Sequence, residues 1–226
     1  MEERKGGGAC PFAARPVVLF DFDGTVADTT GAVLTTARAA LARCGYDPDS
    51  VGDLNYLIGP PLVDGFAGLL GVDRAEAMRL TDAYREIFNV SVTPADYPPN
   101  PGVPRLLAGL RERGTRIAIA TSRLEVTALE MLSHMDLPPF ETVAGRVEPG
   151  RDTKADCIAE ALRRLGASPD DAVMVGDREH DTIGAHACGV PCIGVYTGTA
   201  RSGEHERAGA DVIAHGMPEV AALLGL

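Results

Sequence analysis

Tryptophan is absent from this 226-residue chain, and lysine nearly so: of 21 basic residues only Lys5 and Lys154 are lysines. No apolar stretch approaches the length needed to span a bilayer. The opening segment carries Gly6-Gly7-Gly8 and no apolar core, so it does not read as a secretion signal. Positive charge is also in short supply. A formal net charge of −11 argues against a nucleic-acid polymer or an anionic membrane as partner. The five cysteines (Cys10, Cys44, Cys157, Cys188, Cys192) follow no paired pattern, and Cys188 and Cys192 lack a matching His or Cys pair for zinc. Free thiols in a reduced, cytoplasmic protein are the expectation.

Residues 17–20, Val-Val-Leu-Phe, read as a buried strand, and further short strands are expected at 115–120, 141–144, 172–175, 192–195 and 211–214. Helical stretches at 106–113, 124–135, 153–165 and 181–188 alternate with them. That rhythm predicts an α/β fold, a Rossmann-like parallel sheet covered on both faces. One region departs from it. Residues 29–45 and 73–90 place apolar side chains at helical spacing (Val33, Ala37, Ala40, Leu41; Ala77, Leu80, Tyr84, Ile87, Phe88) with no strand pattern between them. The expected division is a flexible N-terminus over 1–15, a core over 16–27 and 99–226, and an inserted helical domain over 28–98. The proline-rich stretch 93–102 suits a stiff hinge.

The first apolar run ends on Asp21-Phe22-Asp23-Gly24-Thr25: two carboxylates spaced i, i+2, a glycine for a sharp turn, and a hydroxyl. In open α/β sheets ligands bind beyond the C-terminal ends of the strands. Three polar groups fall there: Asp21 after 17–20, Thr121 after 117–120, and Asp177 after 173–175 across Gly176. Asp21 and Asp23 can together supply a nucleophile, an acid/base and half of a magnesium site. Lys154 stands out by scarcity. This chain otherwise uses arginine, so a lone lysine at a helix start, where the dipole disfavours a cation, suggests a point charge beside an anion.

Asp21-x-Asp23-Gly24-Thr25, Thr121-Ser122-Arg123, Lys154 and Gly176-Asp177-x-x-x-Asp181 follow the order of the four motifs of the haloacid dehalogenase (HAD) superfamily, which the chain resembles over nearly its whole length. The insert between the first two motifs, with Ile58-Gly59-Pro60-Pro61-Leu62 inside it, resembles the helical cap of the phosphoglycolate-phosphatase-like branch. The resemblance implies a magnesium-dependent phosphatase. Asp21 would form an aspartyl-phosphate, and Asp23 would protonate the leaving oxygen, then deprotonate water. Mg2+ would be bound by Asp21, the Asp23 backbone carbonyl and Asp177, with Asp181 acting through water or as an orienting group. Gly24, Thr25, Thr121, Ser122 and Lys154 would hold the phosphoryl group. For Thr121 a helix N-cap is equally good local chemistry. Two departures are Arg123, where many relatives carry Lys, and Arg151-Asp152-Thr153-Lys154, where some have a Lys-Pro pair.

Asp23 argues against dehalogenation, which has no alkoxide to protonate. The insert contains no lysine, which excludes the Schiff-base route of phosphonoacetaldehyde hydrolases. A β-phosphoglucomutase-type phosphomutase and a non-catalytic phosphate-binding regulatory module are the alternatives. The expected partner is a small phosphorylated metabolite, with phosphoglycolate, nucleotides and sugar phosphates all open. In the insert, Arg38, Arg43, Arg74, Arg79 and Arg85 either recognise a second anionic group or lie on solvated helix faces. Tyr56, Phe66, Pro60 and Pro61 either line a pocket or pack the insert's own core. Oligomeric state is not readable from this sequence.

Overall fold

The structure, a computed structural model, describes residues 11–226. Six strands, β1 (Val17–Phe20), β2 (Arg116–Leu124), β3 (Thr142–Arg146), β4 (Ala172–Gly176), β5 (Cys192–Val195) and β6 (Val212–Ala214), form one parallel sheet in the order β3-β2-β1-β4-β5-β6. This doubly wound order reverses direction beside β1, so the crevice at the switch point opens off the ends of β1 and β4. The expected α/β class holds.

Alternation along the strands explains the apolar runs. Val18, Phe20, Ile117, Ile119, Val173 and Val175 point into one core, while Val17, Leu19, Ala118, Ala120, Ala172 and Met174 point into the other. Both faces are covered, so the central strand positions are apolar and polar residues fall at the strand ends. The second core is closed by α6 (Lys154–Leu165) through Ile158, Ala161, Leu162 and Leu165, and by Ala185 of α7 (Glu179–Ala187). The first is closed by α4 (Val103–Glu112) and α9 (Met217–Leu223), through Leu106, Leu107, Leu110, Met217 and Val220. Helix α5 (Glu125–Ser133) packs on β2 and β3, and the short α8 (Glu204–Ala208) lies beside α7.

Between β1 and β2 the chain builds α1 (Thr30–Arg43), α2 (Leu62–Leu70) and α3 (Arg74–Ser91), which pack on one another. Phe66 and Tyr84 meet edge-on and Tyr84 stacks on Phe88, so Phe66 is packing, not pocket lining. Helix α2 was not foreseen; Gly65 and Gly68 dilute its apolar pattern. The two strands of chain joining this module to the sheet run side by side. The Asp28 amide donates to the Pro98 carbonyl, the Asn100 amide to Val26, and the Asn100 side chain to Gly24 and Thr25.

The expected flexible lead-in needs correction in part. Residues 1–10 lie outside the described residues, but 11–15 are anchored: Phe12 is buried, its amide donates to Leu223, and Arg15 caps the carbonyls of Pro169 and Ala172. An aromatic ring that joins the core outweighs the local glycine content. Among the described residues no helix is long and apolar enough to cross a membrane.

Candidate active site

Asp21 leaves β1 still in register, its amide donating to Val175 of β4, so its carboxylate is delivered to the switch point. Asp177 follows β4 directly and is completely buried. Asp181, three residues into α7, turns back and accepts from the Arg178 amide at 3.0 Å. One oxygen from each of Asp21, Asp177 and Asp181 lies within 4.8 Å of the others. Asp181 therefore shares one carboxylate cluster with Asp21 and Asp177. The carboxylate of Asp23 is not in that cluster.

Lys154 is the cation against these acids. Its ammonium lies 2.6 Å from Asp21 Oδ1 and 2.8 Å from Asp181 Oδ1, and it donates to the Ala120 carbonyl at 3.2 Å. Burial works against its charge, but Asp181 and Asp21 more than offset that and raise its pKa. To reach the acids its stem crosses α7 at Gly184, where a Cβ would stand 2.7 Å from Lys154 Cγ. Three buried carboxylates beside one ammonium leave an excess of two negative charges. Burial accordingly pushes the pKa of Asp21 up despite Lys154, and burial with Asp181 and Asp21 pushes Asp177 well up. Hard oxygen donors crowded with an excess of two negative charges fit a divalent oxygen-loving cation such as Mg2+.

Other residues are placed differently from expectation. Gly24, at φ +75°, turns the chain under Asp177; a Cβ there would come within 2.4 Å of Asp177 Oδ2. Its carbonyl accepts from Thr197 at 2.8 Å. The Thr25 hydroxyl is fully buried and donates to Asp177 Oδ1 at 3.2 Å, so it orients that carboxylate instead of facing a phosphate. The Thr199 amide also points at Asp177, at 3.3 Å. Thr121 lies where the β2–β3 register shifts, and its hydroxyl accepts from the Arg123 amide at 3.1 Å. Helix α5 begins four residues later with Leu124 at its N-cap, so Thr121 does not cap it. Thr121 and Ser122 line the cleft beside Asp21 and Asp23.

The residue that sequence reasoning undervalued is Arg123. Its guanidinium grips Asp23 in a fork, Nε to Oδ2 at 2.9 Å and Nη2 to Oδ1 at 2.5 Å, while the Thr29 hydroxyl donates to Oδ1 at 2.7 Å. Its plane sits 5.1 Å from the Phe88 ring centroid, so the same side chain touches sheet and insert. Burial would raise the pKa of Asp23, but Arg123 and Thr29 overcome it and hold the carboxyl below its ordinary value. A lysine could not make this planar two-point grip.

A cleft between sheet and insert is lined by Asp21, Asp23, Thr121, Ser122 and Arg123 from below and by Ile58, Pro60, Tyr84, Arg85 and Asn89 from the insert. Of the five insert arginines weighed earlier, Arg85 lines it. Arg38, Arg43, Arg74 and Arg79 face Asp49, Glu86, Asp64 and Glu76 on the surface. Tyr56 is half-exposed over Gly68, away from the cleft lining.

Residues 18–195 match the family model described as haloacid dehalogenase-like hydrolase. The chain belongs to that family. A 5'-nucleotidase of Pseudomonas aeruginosa is 36% identical over 81% of this chain and 83% of its own. The tyrosine-protein kinase PtkA of Mycobacterium tuberculosis is 35% identical over 91% and 70%. A phosphoglycolate phosphatase of Caulobacter vibrioides is 28% identical over 90% and 88%, and with it the chain falls in the phosphoglycolate-phosphatase-like branch. Among solved structures, that of a predicted phosphatase from Clostridium acetobutylicum superimposes with a TM-score of 0.85, at 32% identity over 91% of this chain and 96% of that one.

Proposed function

We propose that this HAD-like hydrolase is a magnesium-dependent phosphatase of small phosphate monoesters, working through an aspartyl-phosphate on Asp21. The observation that carries this reading is the trio Asp21, Asp177 and Asp181 around the Lys154 ammonium at the end of β1. Asp21, Asp177 and Asp181 would hold the metal, which when bound supplies charge neutralisation of the phosphoryl oxygens. The resemblance adds the Asp23 backbone carbonyl as a ligand and has Asp181 act through water or as an orienting group.

A carboxylate oxygen of Asp21 attacks phosphorus and the ester oxygen departs, which splits one slow displacement into two. Lys154 fixes the Asp21 carboxylate through Oδ1 and offsets charge on the transferred group. Thr121, Ser122 and the Gly24 turn bind that group from the sheet side. Asp23 supplies the proton to the leaving oxygen and recovers one from the water that cleaves the acyl phosphate. In the grip of Arg123 it is an anion, the form needed to accept the proton of that water. For the first half-reaction it must leave the guanidinium and be protonated. Closure of the 28–98 cap about the paired linkers near 26–30 and 93–101 would exclude water during that first step. A cytoplasmic setting belongs to the same reading, supported by free Cys44, Cys157, Cys188 and Cys192.

The test is inorganic phosphate release from a panel of monoesters with Mg2+, with chelator, and with Asp21→Asn. Metal-dependent release that drops to background in Asp21→Asn is expected; release that survives the substitution rejects the mechanism. A second reading, transfer of the same phosphoryl group to an acceptor hydroxyl, has the 35%-identical PtkA in its favour. It is separated by the acceptor: a transferase releases little inorganic phosphate whether or not one is present, and forms the phosphorylated acceptor once one is added.

A further inference from the structure

The cleft has a second cationic end that the phosphoryl chemistry does not use. Arg146, the last residue of β3, is 6% exposed and lines the same cleft as Asp21. Its Nε is buried and meets no hydrogen-bond acceptor among the described residues. A buried guanidinium with an empty donor is costly unless something fills it, since each unsatisfied charged group carries its desolvation penalty. From the insert, Arg85 of α3 reaches the same place. Both guanidiniums converge on one carboxylate, Glu148: Arg146 pairs with it directly, and Arg85 Nη2 lies 3.3 and 3.4 Å from its two oxygens. Burial and the proximity of Arg85 disfavour the charge on Arg146, and Asp152 and Asp64 partly compensate. Asp82, on the exposed face of α3, stands 3.9 Å from Arg85 Nη1.

Glu148 is poorly suited to be the permanent occupant. It lies on the turn after β3, between Val147 and Arg151, and its side chain is 41% exposed, so surrendering it to water costs little. It presents what a ligand would present, a planar anion to two forks.

We propose that Arg146 and Arg85 form a second anion subsite in which Glu148 is an internal stand-in that substrate displaces. The substrate of this enzyme is then a phosphate monoester bearing a second anionic group, a carboxylate or another phosphate. This inference rests on the phosphatase reading above. Arg146 comes from the sheet and Arg85 from the insert, so a doubly anionic substrate ties the two together across the cleft. A singly anionic ester leaves Glu148 in place.

The experiment compares three homologous series of increasing chain length with Mg2+: ω-carboxyalkyl phosphates, alkanediol bisphosphates and neutral ω-hydroxyalkyl phosphates. Two charge-assisted contacts predict a kcat/KM about ten- to hundredfold higher for the anionic member over its hydroxyl counterpart at the length that spans the cleft. Arg85→Ala should collapse that ratio toward one, Arg146→Lys should lower it, and Glu148→Gln should raise it. The carboxylate and bisphosphate arms tell which anion is taken. A ratio near one at every length in the unaltered enzyme overturns the subsite. So does an Arg85→Ala that lowers all three series by the same factor. If no phosphate is released from any ester, the phosphatase reading fails instead. Calorimetric binding of the same esters to the unaltered protein and to Glu148→Gln then decides the subsite. Tighter binding of the anionic series, strengthened by Glu148→Gln, supports it; equal binding of all three series rejects it.

Discussion

Replacing Lys154 with Met removes the one ammonium among three buried acids while keeping the length of the stem. Asp21 and Asp181 lose partners at 2.6 and 2.8 Å, and breaking a buried pair costs about 3–5 kcal/mol. A ceiling comes from protonation. With Lys154 in place burial already lifts Asp21 from 3.8 to about 7, so the further cost of neutralising it in the variant is small at pH 7 and grows by about 1.4 kcal/mol per pH unit above that. The variant takes whichever route is cheaper, which holds the loss at pH 8 to about 1.4 kcal/mol, or about 3–6 °C in Tm for a chain of this size.

The sign with pH follows from linkage. Without Lys154 the folded-state pKa of Asp21 rises further above its unfolded value, and Asp177 is already raised. The folded state then binds more protons than the unfolded one between those values, so stability falls as pH rises through that window. The deficit should therefore shrink by up to about 1.4 kcal/mol per pH unit on acidification and close below about pH 7, where Asp21 is protonated in both proteins. Lys154 itself, with its folded pKa raised, contributes stability that is full below 10.5 and lost only above it. Thermal melts of both proteins in chelator from pH 4 to pH 8 read this directly. Identical melting at pH 8, or a deficit that does not change with pH, would refute the electrostatic account of the cluster. Added Mg2+ should recover part of the loss by mass action.

Arg123→Met should free Asp23 and let burial raise its pKa, so that the limb of the pH–rate profile governed by Asp23 moves to higher pH; a limb that stays in place removes Arg123 from control of that carboxyl. Gly184→Ala puts a methyl 2.7 Å from Lys154 Cγ and is expected to cost about 1–3 kcal/mol and to displace the ammonium from Asp21, with kcat falling more than stability alone explains; normal kcat in a destabilised protein would contradict that.

Much of the fold was legible because both faces of the sheet are buried. Runs such as Val17–Phe20 and Cys192–Val195 have no room for polar residues and are flanked by helices with clear periodicity, so the strands declare themselves. The reactive acids were legible for a related reason: Asp21 and Asp177 immediately follow such runs, and a strand end is the one place where a sheet residue meets solvent or ligand. Helix α2 was missed because glycines dilute its pattern. Phe12 was missed because glycine-rich surroundings say nothing about a distant surface waiting for a ring.

By itself, the sequence determined the parallel sheet, the position of the helical insert, and which carboxylates, hydroxyls and lysine stand at the strand ends, since all of these follow from local pattern and scarcity. Only the tertiary structure decided how those groups are paired. Thr25 turns to Asp177, Asp181 joins the metal-competent trio, Arg123 takes Asp23, and Arg85 meets Arg146 over Glu148. The long-range pairs follow no pattern of spacing: Thr25 and Asp177 stand 152 residues apart, Asp23 and Arg123 100, and Arg85 and Glu148 63. Side-chain pairing at that separation is set by how the sheet and insert fold together, which one-dimensional periodicity does not encode.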